Sequence, residues 1–147
     1  MSNQDVRTPK VFLDAVVERF GNVDIDLAAN AANHVVPRYL GPGSKLAEDA
    51  LEVGWMQFNR GGLAWLNPPF RRVLPWVKRC EVARASGMKI ALLVPAAVCT
   101  SWMLDHVRPH AYTFELTPRV FAREIRDCVL AVFTPEGYVG RDVWRWR

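Results

Sequence analysis

Apolar positions recur along the chain with two periods, and the alternation between them divides it into helices and strands. Val11, Phe12, Ala15, Val16 and Phe20 fall at helical spacing behind Thr8-Pro9 and ahead of Gly21. Thr8 is expected to cap this helix, Pro9 suits its first position and Gly21 its exit. Val23 to Ala29 alternates apolar and acidic positions, as a strand does, and ends in small residues and Asn30. Segment 33–43 carries Pro37, Gly41, Pro42 and Gly43 and predicts no regular element. Segment 45–55 reads as a short helix or a loop. Leu63 to Leu66 is a predicted strand that stops abruptly at Asn67-Pro68-Pro69-Phe70, because two prolines have fixed φ and no N–H. Val73, Leu74, Trp76, Val77, Cys80, Val82 and Ala83 then predict a helix closed by Ser86-Gly87. The near-continuous apolar run from Lys89 to Pro95 predicts a strand buried on both faces. Thr100-Ser101 is expected to cap a short helix through Trp102, Met103 and His106. Ala111 to Leu116 and Cys128 to Phe133 read as two further strands, separated by a charged segment containing Pro118.

Strands alternating with helices predict an α/β fold. Helical crossovers between buried strands imply a mostly parallel sheet. The last two strands are joined without a good helix, so one of them is expected to run antiparallel near the C-terminus. The 147 residues are expected to form a single domain, with a core over 8–135 and a basic, Trp-containing tail over 136–147.

Composition narrows the classes. Half of the residues are hydrophobic and 23% charged, as in a folded globular chain. No apolar run approaches the roughly 20 residues that span a bilayer, and the first residues lack the pattern of a signal peptide, so no membrane association or export is expected. Cys80, Cys99 and Cys128 are widely spaced in apolar sequence and read as three buried small hydrophobes in a reducing compartment. They form no metal-ligand spacing with His34, His106 and His110, so no metal is expected. The net charge of +4 leans weakly towards a polyanionic partner. Arg141 to Arg147 with Trp144 and Trp146 has the composition of a surface that contacts phosphates and bases, and equally of a solvated tail.

Candidate chemistry sits at strand ends. Asn67 is held at a strand tip beside rigid proline carbonyls and the Phe70 ring; a plain proline-rich turn is the competing reading. Asp26 ends another apolar strand, where a carboxylate needs a partner. In open α/β sheets ligands bind beyond the carboxyl ends of the strands, so Asp26 to Asn30 and Asn67 to Phe70 are candidates to line one cleft.

The chain resembles the short, phage-type DNA N6-adenine methyltransferases, the phage Dam family. The resemblance rests on Thr8-Pro9, Asp26-Leu27-Ala28-Ala29 with Asn30 to Asn33, Arg38-Tyr39, Glu48-Asp49-Ala50-Leu51 and Trp55. It continues through Trp65-Leu66-Asn67-Pro68-Pro69-Phe70, Pro75-Trp76-Val77, Leu92-Leu93-Val94-Pro95 and Trp102. It runs in order over roughly residues 8 to 135. It implies a compact, Rossmann-like fold and methyl transfer from S-adenosylmethionine (SAM) to N6 of adenine in DNA. That nitrogen is a poor nucleophile, because its lone pair is delocalised into the purine ring. The resemblance assigns Asn67 Oδ1 and the Pro68 carbonyl as acceptors for the amine, Pro69 to the turn and Phe70 to stacking on the base. Because N6 is buried in the duplex, the adenine must be flipped out. Asp26, Ala28 and Ala29 are expected at the cofactor, although the G-x-G of the wider methyltransferase class is missing. Thr8 and Pro9 are expected near the cofactor carboxylate, and Asp49 near its adenine or ribose. Arg71, Arg119, Arg123 and Arg126 are candidate phosphate contacts. The implied location is the cytoplasm of a bacterial host.

Two other readings stay open. The same acceptors suit RNA adenine or a protein glutamine, since each offers a planar, weakly nucleophilic nitrogen. A non-catalytic DNA-binding relative would keep the fold without the chemistry.

Overall fold

A computed structural model describes residues 7–121 and 127–147. Helix α1 spans Lys10–Phe20 and is followed by β1 (Val23–Asp26), β2 (Leu63–Leu66), α2 (Leu74–Ala85) and β3 (Lys89–Pro95). Strands β4 (Ala111–Thr117), β5 (Cys128–Phe133) and β6 (Gly140–Arg145) complete one six-stranded sheet, ordered β1-β2-β3-β5-β4-β6. The pairs β1/β2, β2/β3 and β4/β6 are parallel, whereas β5 runs antiparallel to both β3 and β4. Five strands therefore share one direction and β5 is reversed, in line with the expectation that one of the last two predicted strands runs antiparallel.

Side-chain alternation on the strands builds a core on each face. Leu63, Trp65, Ala91 and Leu93 pack with Phe12 and Val16 of α1. Ala64, Leu66, Ile90, Leu92 and Val94 pack with Trp76, Val77 and Cys80 of α2. Every residue of β3 after Lys89 is buried, as a central strand covered by helices on both sides requires. A widened helical turn at Met103–Val107 joins the α2 face, its Arg108 N–H reaching Met103 O at 2.9 Å. Among the described residues no helix is long and apolar enough to cross a membrane.

Several expectations are corrected. The cap of α1 is Pro9, with no side-chain cap bond, and the Thr8 hydroxyl points elsewhere. Thr100 does not cap the next helix either; its hydroxyl donates to Ala97 O. The basic, Trp-containing tail supplies edge strand β6, whose Trp144 is buried against Phe12, Phe20 and Phe114. Trp146 packs edge-on against Phe12 and donates its indole N–H to Pro118 O. Neither indole is thus a free platform for bases. Cys99 is exposed while Cys80 and Cys128 are buried. Burial pushes both buried thiols up, that of Cys128 to about 12.

Segment 33–43 forms no strand, yet it seals the open edge of β1. Asp26 N–H donates to Arg38 O and Leu40 N–H to Asp26 O, both at 2.9 Å. Beyond β1, Ala29 N–H donates to Leu40 O at 3.0 Å and Ala31 N–H to Pro42 O at 3.2 Å. These bonds satisfy the peptide groups that an edge strand otherwise exposes.

Candidate functional site

The carboxyl ends of β1 and β2 are adjacent, with Asp26 opposite Trp65 in the parallel register. Leu27 N–H still donates to Trp65 O at 2.8 Å, so the two chains leave the sheet side by side. Strand β1 runs out into a tight turn of small residues, and β2 into Asn67-Pro68-Pro69-Phe70. The side chains that the sequence marks as chemistry, Asp26 and Asn67, are thereby brought to one cleft.

Asp26 is 3% exposed. Its Oδ1 accepts from Ala28 N–H at 3.2 Å and its Oδ2 from Val35 N–H at 3.0 Å. Burial raises its pKa to about 6, against the opposing pull of those two backbone N–H groups and of His34. A buried carboxyl raised by desolvation, with two ordered donors and no salt-bridge partner among the described residues, marks a candidate functional site.

Asn67 is half-buried, and its Nδ2 donates to Thr8 Oγ1 at 3.2 Å. It sits on the shared wall of two cavities. The smaller, about 20 Å3, is lined by Arg7, Thr8, Asp26, Asn33 and Trp65 as well as Asn67. The larger, about 490 Å3, is lined by Ala28, Ala29, Asn30, Asn33, Leu40, Gly41, Glu48, Asp49, Pro69 and Trp76 together with Asn67. That volume is in the range of sites for drug-sized ligands. Asp49 faces it while capping the turn Ala50–Glu52, accepting from Leu51 N–H at 3.0 Å. Asn30 and Asn33 lock the turn between them: Asn33 Oδ1 accepts from Asn30 N–H at 2.7 Å, and Asn30 Oδ1 from Asn33 N–H at 3.0 Å.

Ala28, Ala29 and Asp49 thus line the larger cavity, Thr8 and Asp26 the smaller, and Pro9 neither. Pro68 is buried. Phe70 is half-buried against the α1-side core and is not on the wall of either cavity. Arg71 is exposed at the rim, lining an adjoining cleft with Pro69 and Trp76. Arg119 lies beside Pro95 at the carboxyl end of β3, ion-paired to Asp127 at 2.7 Å. Arg123 and Arg126 lie outside the described residues.

Sequence reasoning does not single out Arg7, Asn33, Leu40, Gly41, Glu48 or Trp76 as site residues. The signals available are the Asn30–Asn33 spacing and the Gly41-Pro42-Gly43 turn, which mark a chain that folds back sharply, and, for Asn33, Glu48 and Trp76, their place in the stretches that carry the family resemblance. A still larger cavity of about 650 Å3 lies at the opposite end of the parallel strands, between Gly62, Lys89, Tyr112 and Tyr138. It holds none of the predicted chemistry and is remote from Asn67. Among the described residues no group of three or more His, Cys, Asp or Glu side chains is arranged to hold a metal.

A family model described as DNA N-6-adenine-methyltransferase (Dam) matches residues 2–112. The match ends at the start of β4, short of the 8–135 over which the sequence resemblance runs. The chain is 26% identical over 98 residues to a DNA N-6-adenine-methyltransferase of Escherichia phage T1. That alignment covers 67% of this chain and 38% of the phage protein. No solved structure matches.

Proposed function

Since the chain belongs to the DNA N-6-adenine-methyltransferase (Dam) family, we propose that it transfers a methyl group from SAM to N6 of an adenine flipped out of duplex DNA. The observation that carries this reading is the position of Asn67. It stands at the tip of β2 on the wall between the Asp26 pocket and the larger cavity, with its amide N–H2 engaged by Thr8.

The residues fit SAM. The larger cavity has the volume for it, and its lining supplies small residues at Ala28 and Ala29 and a carboxylate at Asp49. Asp26 is assigned to the cationic amine end of the cofactor, where two ordered backbone donors already orient the carboxylate. Bound there, SAM supplies an electrophilic methyl on sulfonium. The chain supplies position and charge. Asn67 Oδ1 and the Pro68 carbonyl accept from the adenine amine, which favours a more pyramidal nitrogen and stabilises its growing positive charge. Fixed acceptors of this kind are worth about 3–4 kcal/mol in a transition state, and alignment of nitrogen with methyl supplies much of the rest. Phe70, at the end of the motif, is assigned to hold the base. Arg71 at the rim and Arg119, Arg123 and Arg126 are assigned to DNA phosphates. Within this reading the sheet is a compact Rossmann-like methyltransferase core acting in the cytoplasm of the phage host.

Asp26 gives the cofactor assignment a pH signature. Its folded-state pKa is raised from 3.8 to about 6, so its stabilising contribution is full below the unfolded value and is lost as pH rises through 6. At about 1.4 kcal/mol per unit, the difference approaches 3 kcal/mol. Cofactor binding to the ionised carboxylate runs the other way. SAM affinity is expected to fall roughly tenfold from pH 7 to pH 5, while wild-type stability gains on Asp26→Asn over the same interval. Calorimetric titration and thermal melts of both proteins read the two trends. An affinity that is flat across pH 6 in the wild type counts against the assignment.

The substrate class is tested by offering methyl-labelled SAM with duplex DNA, RNA and a glutamine-bearing peptide. Label is expected in DNA alone. Transfer to RNA or peptide but not to DNA overturns the reading, and SAM binding without transfer to any of the three identifies a non-catalytic relative.

A further inference from the structure

The two ends of the Asn67 amide do opposite things. Oδ1 accepts hydrogen bonds and Nδ2 donates them, so only one orientation can receive an amine. Turned over, the side chain faces N–H2 with N–H2 and offers nothing to a nitrogen gaining positive charge.

We infer that Thr8 is a positioning residue that fixes this orientation: its hydroxyl oxygen holds Nδ2 and so presents Oδ1 to the substrate amine. This role rests on the proposed transfer to an amine at Asn67. Thr8 is 6% exposed, and its Oγ1 lies 3.2 Å from Asn67 Nδ2 across 59 positions of sequence. Both sides of the contact are mounted on one packed unit. Thr8 leads into α1, where Pro9 O accepts from the N–H groups of Phe12 and Leu13, each at 3.1 Å. Fully buried Phe12 meets the edge of Trp65, two residues before Asn67, with ring centroids 6.3 Å apart. The first turn of α1 is therefore registered against the tip of β2 by its core. The hydroxyl is itself able to serve either end of an amide. With a lone pair on Nδ2, the hydroxyl keeps its own proton free for another acceptor, and Asp26 lines the same small pocket. Asn67 Oδ1 then accepts from no group among the described residues.

The test compares Thr8→Val, which keeps the shape and removes the hydroxyl, with Thr8→Ser, which keeps the hydroxyl. Each is made in the wild type and in Asn67→Asp. Single-turnover methylation of duplex DNA at saturating SAM is read beside equilibrium SAM binding. Thr8→Val is expected to lower the rate at saturation roughly 10- to 100-fold with SAM affinity retained, and Thr8→Ser to restore the rate. In Asn67→Asp both side-chain oxygens accept, so the Thr8→Val penalty is expected to shrink. A Thr8→Val defect confined to SAM affinity makes Thr8 a cofactor contact and overturns the inference. So does an equal penalty in both backgrounds, or a Thr8→Ser variant as slow as Thr8→Val. If Thr8→Val does not fold, Thr8→Ala against Thr8→Ser gives the same decision. Near-normal activity of Asn67→Ala instead overturns the underlying reading, whatever Thr8 does.

Discussion

Asn67→Ala is expected to lower methyl transfer by roughly 10²- to 10³-fold, the usual cost of deleting one preorganised polar group at a reacting centre. The substitution removes the only side-chain acceptor of the Asn-Pro-Pro-Phe turn and leaves the Pro68 carbonyl. The fold is expected to survive. Asn67 is only half-buried and follows Leu66, the fully buried end of β2. Its side chain gives up the hydrogen bond to Thr8, worth about 1 kcal/mol. SAM affinity is expected to stay close to that of the wild type, because Asp26, Asp49 and the alanine turn are untouched. Transfer rate, melting temperature and SAM binding, measured on one preparation, separate these effects. Undiminished transfer removes Asn67 from the chemistry. Asn67→Asp is expected to fall between: it keeps an acceptor for the amine, and the Thr8 hydroxyl can reverse and donate to the carboxylate.

Gly41→Ala is expected to cost the protein its cofactor before it costs it the fold. Gly41 has φ +138°, and a Cβ added there overlaps the carbonyl oxygen of Ala29. At this crossing Leu40 O takes the Ala29 N–H, and Gly41 N–H donates to Ala47 O at 2.9 Å. The crossing is one wall of the larger cavity. A side chain forces the wall apart and holds the backbone in a region that costs about 1–3 kcal/mol. Each 1.4 kcal/mol of that strain that binding must relieve weakens affinity about tenfold. Gly54→Ala is the control, since Gly54 has no positive φ and its added Cβ meets nothing within 4 Å. A Gly41→Ala protein that is destabilised yet binds SAM normally places the cofactor elsewhere.

The parts of this molecule that are legible in the sequence are those where local pattern and tertiary environment agree. Strand β3 reads as an unbroken apolar run because helices cover both of its faces. The stop at Asn67 reads because two prolines can continue neither strand nor helix. Asp26 reads because an acid at the end of a buried strand asks for a partner.

Where tertiary contacts override local pattern, the sequence misleads. A Thr before a Pro at a helix start has the form of a cap, and its true partner, 59 residues away, leaves no local trace. Strand β6 is exposed at every position but Trp144, so an edge strand looks like a charged tail. The cavity wall at Leu40-Gly41 is built from backbone bonds that close the open side of β1. Carbonyls of almost any sequence can supply those, and only Gly41 betrays how closely the chains approach.

One measurement addresses product and site together. Mixed-sequence duplex DNA is incubated with the protein and SAM, digested to nucleosides and analysed by mass spectrometry beside the same reaction with Asn67→Ala. The expected result is N6-methyldeoxyadenosine with the wild type and a loss of it with the variant. Methyl groups appearing only on cytosine, or N6-methyldeoxyadenosine formed equally by both proteins, would contradict it.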